Sequence, residues 1–167
     1  MQLPNLCMVL ALAVWPGLVR AADPIDCRVD ARFSGQGSVG KAVIDAVRGT
    51  KERLIIALYG FDNTDLGDEL IQLVKKGVLV KLKIDTARSA SKKIVNLIDR
   101  LKAGGVQLET VAPDGRNHNK FAVIDSKRVL TGSYNWTFKS EKNWENLLIL
   151  DCPQLAKTYE SEWERIH

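Results

Sequence analysis

Apolar residues recur at helical spacing in several stretches of the chain, with short continuous apolar runs between them. Val39, Ala42, Val43, Ile44 and Val47 mark an amphipathic helix, and Ser38 before them is a suitable N-cap. Residues 27–33 ahead of it read as a strand, and 34–38 as a turn. Residues 53–59 form a buried-strand pattern, 65–76 a helix ended by Gly77, and 78–84 a second buried strand. A third helix fits 89–103, stopped by Gly104 and Gly105, and 106–111 reads as a strand. Strand and helix alternate here, which predicts parallel crossovers with helices lying on a sheet.

The second half changes character. Residues 121–125, 128–131 and 145–150 read as close-set strands, with a turn at Ser126 and Lys127, so part of the sheet is antiparallel. Pro153 opens a last amphipathic helix carrying Leu155, Tyr159, Trp163 and Ile166. No repeat, linker or low-complexity tract interrupts the pattern. The expected fold is α/β: one domain with a mixed, largely parallel β-sheet flanked by helices on both faces.

Composition adds only bounds. With 167 residues, 46 % hydrophobic and 26 % charged, disorder, collagen and coiled coil are excluded. A net charge of +4 favours a polyanionic partner without specifying one.

The N-terminus changes the picture more. Residues 6–19 are apolar apart from the interruption at Pro16, and Ala21 and Ala22 follow. This reads as a secretory signal peptide over residues 1–21, cleaved after Ala21, with residues 22–167 as the mature domain. The run is shorter than the roughly 20 apolar residues a membrane-spanning helix needs. No Lys or Arg precedes it, and an uncleaved anchor is the competing reading. The expected location is periplasmic or secreted, with no stable membrane association after cleavage. Cleavage removes Cys7 and leaves Cys27 and Cys152 as an even pair, for which export predicts a disulfide; two buried thiols are the alternative.

Chemistry concentrates after residue 117. His118 and Lys120 are two apart at the start of a strand pattern, so both side chains are expected on one face, while Asp125 faces the other way. Gly132, Ser133 and Asn135 follow after the next strand, and Glu145 precedes the last one. An imidazole can act as nucleophile, an ammonium and an amide can hold phosphate oxygens, and a carboxylate can orient the ring. The set suits phosphoryl transfer with no metal and no cofactor. Arg116, Lys139 and Lys142 bracket the motif and are candidate substrate contacts. Tyr134 and Trp136 are open between base stacking and packing, whereas Trp144 is expected to pack.

The pattern His118-x-Lys120-x-x-x-x-Asp125 with Gly132-Ser133-x-Asn135 resembles the phospholipase D superfamily, and within it the small, single-motif, exported bacterial endonucleases. The segments 59–61, 76–85 and 143–146 are similar to that family too. The resemblance implies a phosphohistidine intermediate on His118, phosphate binding by Lys120 and Asn135 assisted by Ser133, and Glu145 hydrogen-bonded to His118. Asp125 and Gly132 belong to the motif as structural members. The mechanism calls for two histidines, and the only other one, His167, lacks the lysine pattern, so a homodimer with two copies of His118 facing each other is implied. The expected function is sequence-nonspecific cleavage of DNA, with RNA as a further candidate substrate. A phospholipase or cardiolipin-type lipid diesterase is the alternative enzyme, and a non-catalytic nucleic-acid-binding module the alternative outside enzymes.

Overall fold

The computed structural model describes residues 26–167; the signal-peptide reading of residues 1–21 lies outside them. Seven strands form one sheet: β1 (Arg28–Phe33), β2 (Arg53–Leu58), β3 (Leu79–Asp85), β4 (Gln107–Val111), β5 (Lys120–Ile124), β6 (Arg128–Gly132) and β7 (Asn146–Asp151). Their spatial order is β1-β7-β6-β5-β2-β3-β4. Four helices complete the domain: α1 (Val39–Val47), α2 (Thr64–Lys75), α3 (Lys92–Ala103) and α4 (Pro153–Arg165).

The sheet is mixed, as expected, but its balance is the reverse of largely parallel. β2 with β3 and β3 with β4 are parallel, and the other four pairings are antiparallel. The reason is the tight connection after β5. Asp125 and Ser126 both take positive φ (51° and 55°), the conformation of a hairpin turn whose twist matches the flanking strands, and it returns the chain as β6 antiparallel to β5. β5 itself docks antiparallel on β2, and β7 antiparallel on β6.

α1, α2 and α3 cover one face and α4 the other. Leu54, Ile56 and Leu58 alternate toward the three-helix side with Val80, Leu82 and Ile84, while Ile55 and Ala57 face α4 with Phe121, Val123 and Trp163. Ser38 caps α1 by accepting from the Lys41 amide at 3.0 Å. α4 is anchored by two buried groups: the Trp163 indole donates to the Ile56 carbonyl at 2.9 Å, and the Lys83 ammonium donates to the Trp163 and Ile166 carbonyls at 3.1 and 2.7 Å. Lys83 thereby satisfies carbonyls that the end of a helix leaves open. Cys27 and Cys152 are disulfide-bonded across 125 positions, tying the start of β1 to the start of α4; in the chain-entropy model a loop of that length is worth about 4–5 kcal/mol. No helix among the described residues is long and apolar enough to cross a membrane.

Candidate active site

One edge of the sheet collects the chemistry. The parallel strands β2 and β3 both end there, β5 starts there opposite the end of β2 (Leu58 beside Lys120), β6 ends there and β7 begins there (Gly132 beside Leu147). Loops beyond the carboxyl ends of parallel strands are a common place for ligands in α/β sheets.

His118 precedes β5, which begins only at Lys120, yet the two side chains meet as expected. The Lys120 ammonium lies 3.2 Å from His118 Nδ1 and donates to the His118 carbonyl at 2.7 Å. An ammonium can only donate, so Nδ1 accepts in this contact and the ring proton of the neutral imidazole sits on Nε2. His118 is exposed and Lys120 half-buried. Burial lowers the Lys120 pKa, and the negative charge of Glu145 acts in the opposite direction.

The loop carrying His118 rests on two buried polar residues that the sequence did not single out. Asp85, 3 % exposed, accepts from the amides of Ala87 (2.9 Å) and Asn117 (2.8 Å). Asn117, 2 % exposed, donates to the Leu58 carbonyl at 3.4 Å and accepts from the Asn119 side chain at 2.9 Å. The available signal was an aspartate closing an apolar strand run, a position where a carboxylate is buried only if backbone donors meet it.

Ser133 and Glu145 form one unit beside this pair. The Ser133 hydroxyl donates to Glu145 Oε2 and accepts from the Asn146 amide at 3.1 Å, while Glu145 Oε1 accepts from the Asn143 side chain at 3.1 Å. The expected Glu145–His118 hydrogen bond is not made. Glu145 leads into β7, which lies between β1 and β6 and not beside β5, so Ser133, just past the end of β6, takes its carboxylate. Asn135 holds its Oδ1 buried without a partner among the described residues. Gly132 is required by closeness: a Cβ there would stand 2.3 Å from the Asn146 carbonyl oxygen.

Asp125 is far from all of this in role. Its carboxylate accepts from the amides of Lys51 (3.0 Å), Glu52 (2.9 Å) and Arg53 (2.9 Å) at the opposite end of β5. Burial pushes its pKa up, but these three donors and nearby Lys127 outweigh it and hold the group below the usual carboxylate value.

Of the three aromatic residues beside the motif, the two left open are packed and the one expected to pack is not. Tyr134 and Trp136 are both 2 % exposed; Trp136 packs edge-on against Phe61, and the Tyr134 hydroxyl, its pKa raised by burial and by its bond to Glu141, serves the core. Trp144, expected to pack, is 91 % exposed, because β7 begins at Asn146 and Trp144 lies outside the strand's alternation. The aromatic that does touch the site is Tyr59, whose ring centre is 4.5 Å from that of His118. Arg116 donates to the Tyr59 hydroxyl at 2.8 Å, and the Arg88 guanidinium stands 4.9 Å over its ring. Helix α3 was expected from residue 89; a 3-10 turn over Thr86–Arg88, capped by Asp85, precedes it instead and leaves Arg88 at the site. An open groove of about 390 Å³ continues from Arg88 past Phe61 and Asn135 to Lys139 and Asn143. Lys142 is exposed and does not line it.

Comparison with known proteins fits this geometry. Residues 43–167 match the family model described as "Cardiolipin synthase, PLD-like domain". The mitochondrial cardiolipin hydrolase of Canis lupus familiaris is 30 % identical over 157 residues, covering 93 % of this chain and 60 % of that protein, so the chain spans well under the full length of that relative. A phospholipase D of Rickettsia bellii is 28 % identical over 137 residues, covering 81 % of this chain and 67 % of that one. Among solved structures, Nuc from Salmonella typhimurium, a phospholipase D family member, superposes with a TM-score of 0.79 at 26 % identity, covering 85 % of this chain and 99 % of that chain. The family match over three quarters of the chain and the superposition on Nuc agree: the chain belongs to the phospholipase D-like family.

Proposed function

We propose that the protein is a phosphodiesterase that cleaves nucleic acid through a phosphohistidine on His118. The observation that carries the reading is an exposed imidazole in contact with an ammonium, with Arg88 and Arg116 gathered on the adjoining Tyr59 and an open groove running on from Arg88. A phosphate arriving at this pair draws the Lys120 ammonium onto its oxygens and frees the Nδ1 lone pair. A ring nitrogen of His118 attacks phosphorus, a P–N bond forms as the P–O bond to one alcohol breaks, and that alcohol leaves with a proton. Water then attacks the phosphohistidine, returning the imidazole and releasing a phosphomonoester. Asn135 adds a phosphate contact, and Ser133, held by Glu145, assists. Trp144 presents a stacking face for an unpaired base.

The proton for the first leaving group comes from the His118 of a second copy. Among the described residues only one histidine has a lysine against it, so a two-fold dimer with the two imidazoles facing each other supplies both roles. Similarity in fold to Nuc over 99 % of that chain supports the nuclease reading. The names of the cardiolipin hydrolase and phospholipase D relatives favour a second reading, hydrolysis of a lipid phosphodiester by the same chemistry.

The test is parallel incubation of plasmid DNA, single-stranded RNA and cardiolipin vesicles with the purified protein in excess chelator, beside His118→Ala. Chelator-resistant cleavage of nucleic acid that is lost in the variant is the expected result. Turnover of lipid alone transfers the site to the second reading, and metal-dependent cleavage overturns the mechanism.

A further inference from the structure

Exposed cations gathered at one place without a carboxylate partner make a local positive field that draws an anion. Among the nine arginines of the described residues, Arg32, Arg48, Arg53, Arg100, Arg128 and Arg165 are each in an ion pair with a carboxylate. Two of the remaining three, Arg88 and Arg116, converge on Tyr59, the residue that packs against the His118 ring. Arg88 takes the face of the phenol ring and Arg116 its hydroxyl oxygen, so one neutral side chain holds both guanidiniums in place. The Lys120 ammonium, 5.3 Å from the same ring centre, makes a third cation around it. None of the three forms a salt bridge with a described residue. The one carboxylate buried close by in sequence, Asp85, spends both oxygens on backbone amides.

The three cations differ in what they reach. Lys120 touches the imidazole directly, whereas Arg116 bonds the Tyr59 hydroxyl and Arg88 lies over the Tyr59 ring, one aromatic ring away from His118. The scissile phosphate belongs at His118 and Lys120. The arginines are then offered to a second negative charge carried by the same substrate. A guanidinium presents a planar fork of donors that matches phosphate oxygens, which suits this position better than an ammonium.

We propose that Arg88 and Arg116, positioned by Tyr59, form a subsite for the phosphate neighbouring the scissile one on a nucleic-acid strand. This rests on the nuclease reading above and narrows it: the enzyme selects diesters that carry a flanking phosphate over isolated diesters. Charge-assisted contacts of this kind change an equilibrium by roughly tenfold each.

The test compares kcat/KM for a dinucleotide having one internucleotide diester with the same dinucleotide carrying an additional 5′- or 3′-terminal phosphate, using bis(p-nitrophenyl) phosphate as a check on diesterase chemistry. The native protein is expected to prefer one of the phosphorylated forms by roughly tenfold or more. In R88Q/R116Q that ratio falls toward one. In K76Q/K157Q, which removes equal charge from exposed positions just past the end of α2 and on α4, it is retained. A native ratio near one overturns the subsite, as do a ratio that survives R88Q/R116Q, an equal proportional loss on both dinucleotides, and a collapse of the ratio in the charge-matched control. Failure of the nuclease reading looks different: no dinucleotide is cleaved while bis(p-nitrophenyl) phosphate still turns over, and the subsite falls with it.

Discussion

The two ends of β5 use one motif for opposite purposes. At the start of the strand, His118 and Lys120 share a contact at 3.2 Å in the open, with cations nearby that form no ion pair among the described residues. At its end, Asp125 is matched by three backbone donors and ties the hairpin turn to the start of β2. Unsatisfied charge at one end is available to a ligand; fully satisfied charge at the other is available only to the fold. A pattern of eight residues, His118 to Asp125, thus spans two roles, with the strand holding them apart at a constant distance.

The largest effect that sharpens this contrast is expected for His118→Ala. If the imidazole is the nucleophile, the rate falls by about a thousandfold or more. The melting temperature stays within a degree or two of the parent's, since the side chain is exposed, and thermal unfolding beside a diesterase assay checks both. Gly132→Ala should blur the contrast, because it strikes the site end through the backbone. A Cβ 2.3 Å from the Asn146 carbonyl must push β7 from β6, costing about 2–3 kcal/mol in urea unfolding and loosening the Ser133–Glu145 unit. A stable, fully active variant would show that β7 is not held where the geometry puts it.

Asp125→Ala belongs to the opposite end. Leaving three amides without their acceptor should lower stability by about 1–3 kcal/mol, while activity per folded molecule below the melting transition is kept. Loss of rate without loss of stability would move Asp125 into the chemistry. The smallest effect concerns pH. The folded-state pKa of Asp125 lies below the unfolded value near 4, so the unfolded chain binds more protons in acid. Its contribution to stability is complete above that pH and lost as the pH falls through the folded value. Asp151, held low by its hydrogen bond to Arg128, behaves likewise. Asp125→Asn should flatten the acid limb of the stability curve, read by unfolding between pH 2 and 5, without moving the activity profile near neutrality.

Much of the molecule was legible in advance because it depends on neighbours in sequence. The succession of strands and helices follows from local periodicity and from punctuation by Ser38, Gly77, Gly104 and Pro153, and each of the seven strands and four helices was anticipated within a few residues. His118 and Lys120 are two apart beside the start of β5, so their contact is a local one, and Asp125, just past the far end of that strand, lies too far along it to join them. Where chain neighbours do not decide, expectation and structure part. The order of strands is a choice among long-range pairings that the same periodicity permits, so the antiparallel majority came only with the hairpin at Asp125 and Ser126. Glu145 was assigned to His118, but β6 stands between their strands and Ser133 claims the carboxylate. The burial of Tyr134 and Trp136, the exposure of Trp144 and the meeting of Arg88 with Arg116 at Tyr59 have the same cause. A side chain's spacing along the chain says which way it points from its own element, and only the packing of distant elements says what it then finds.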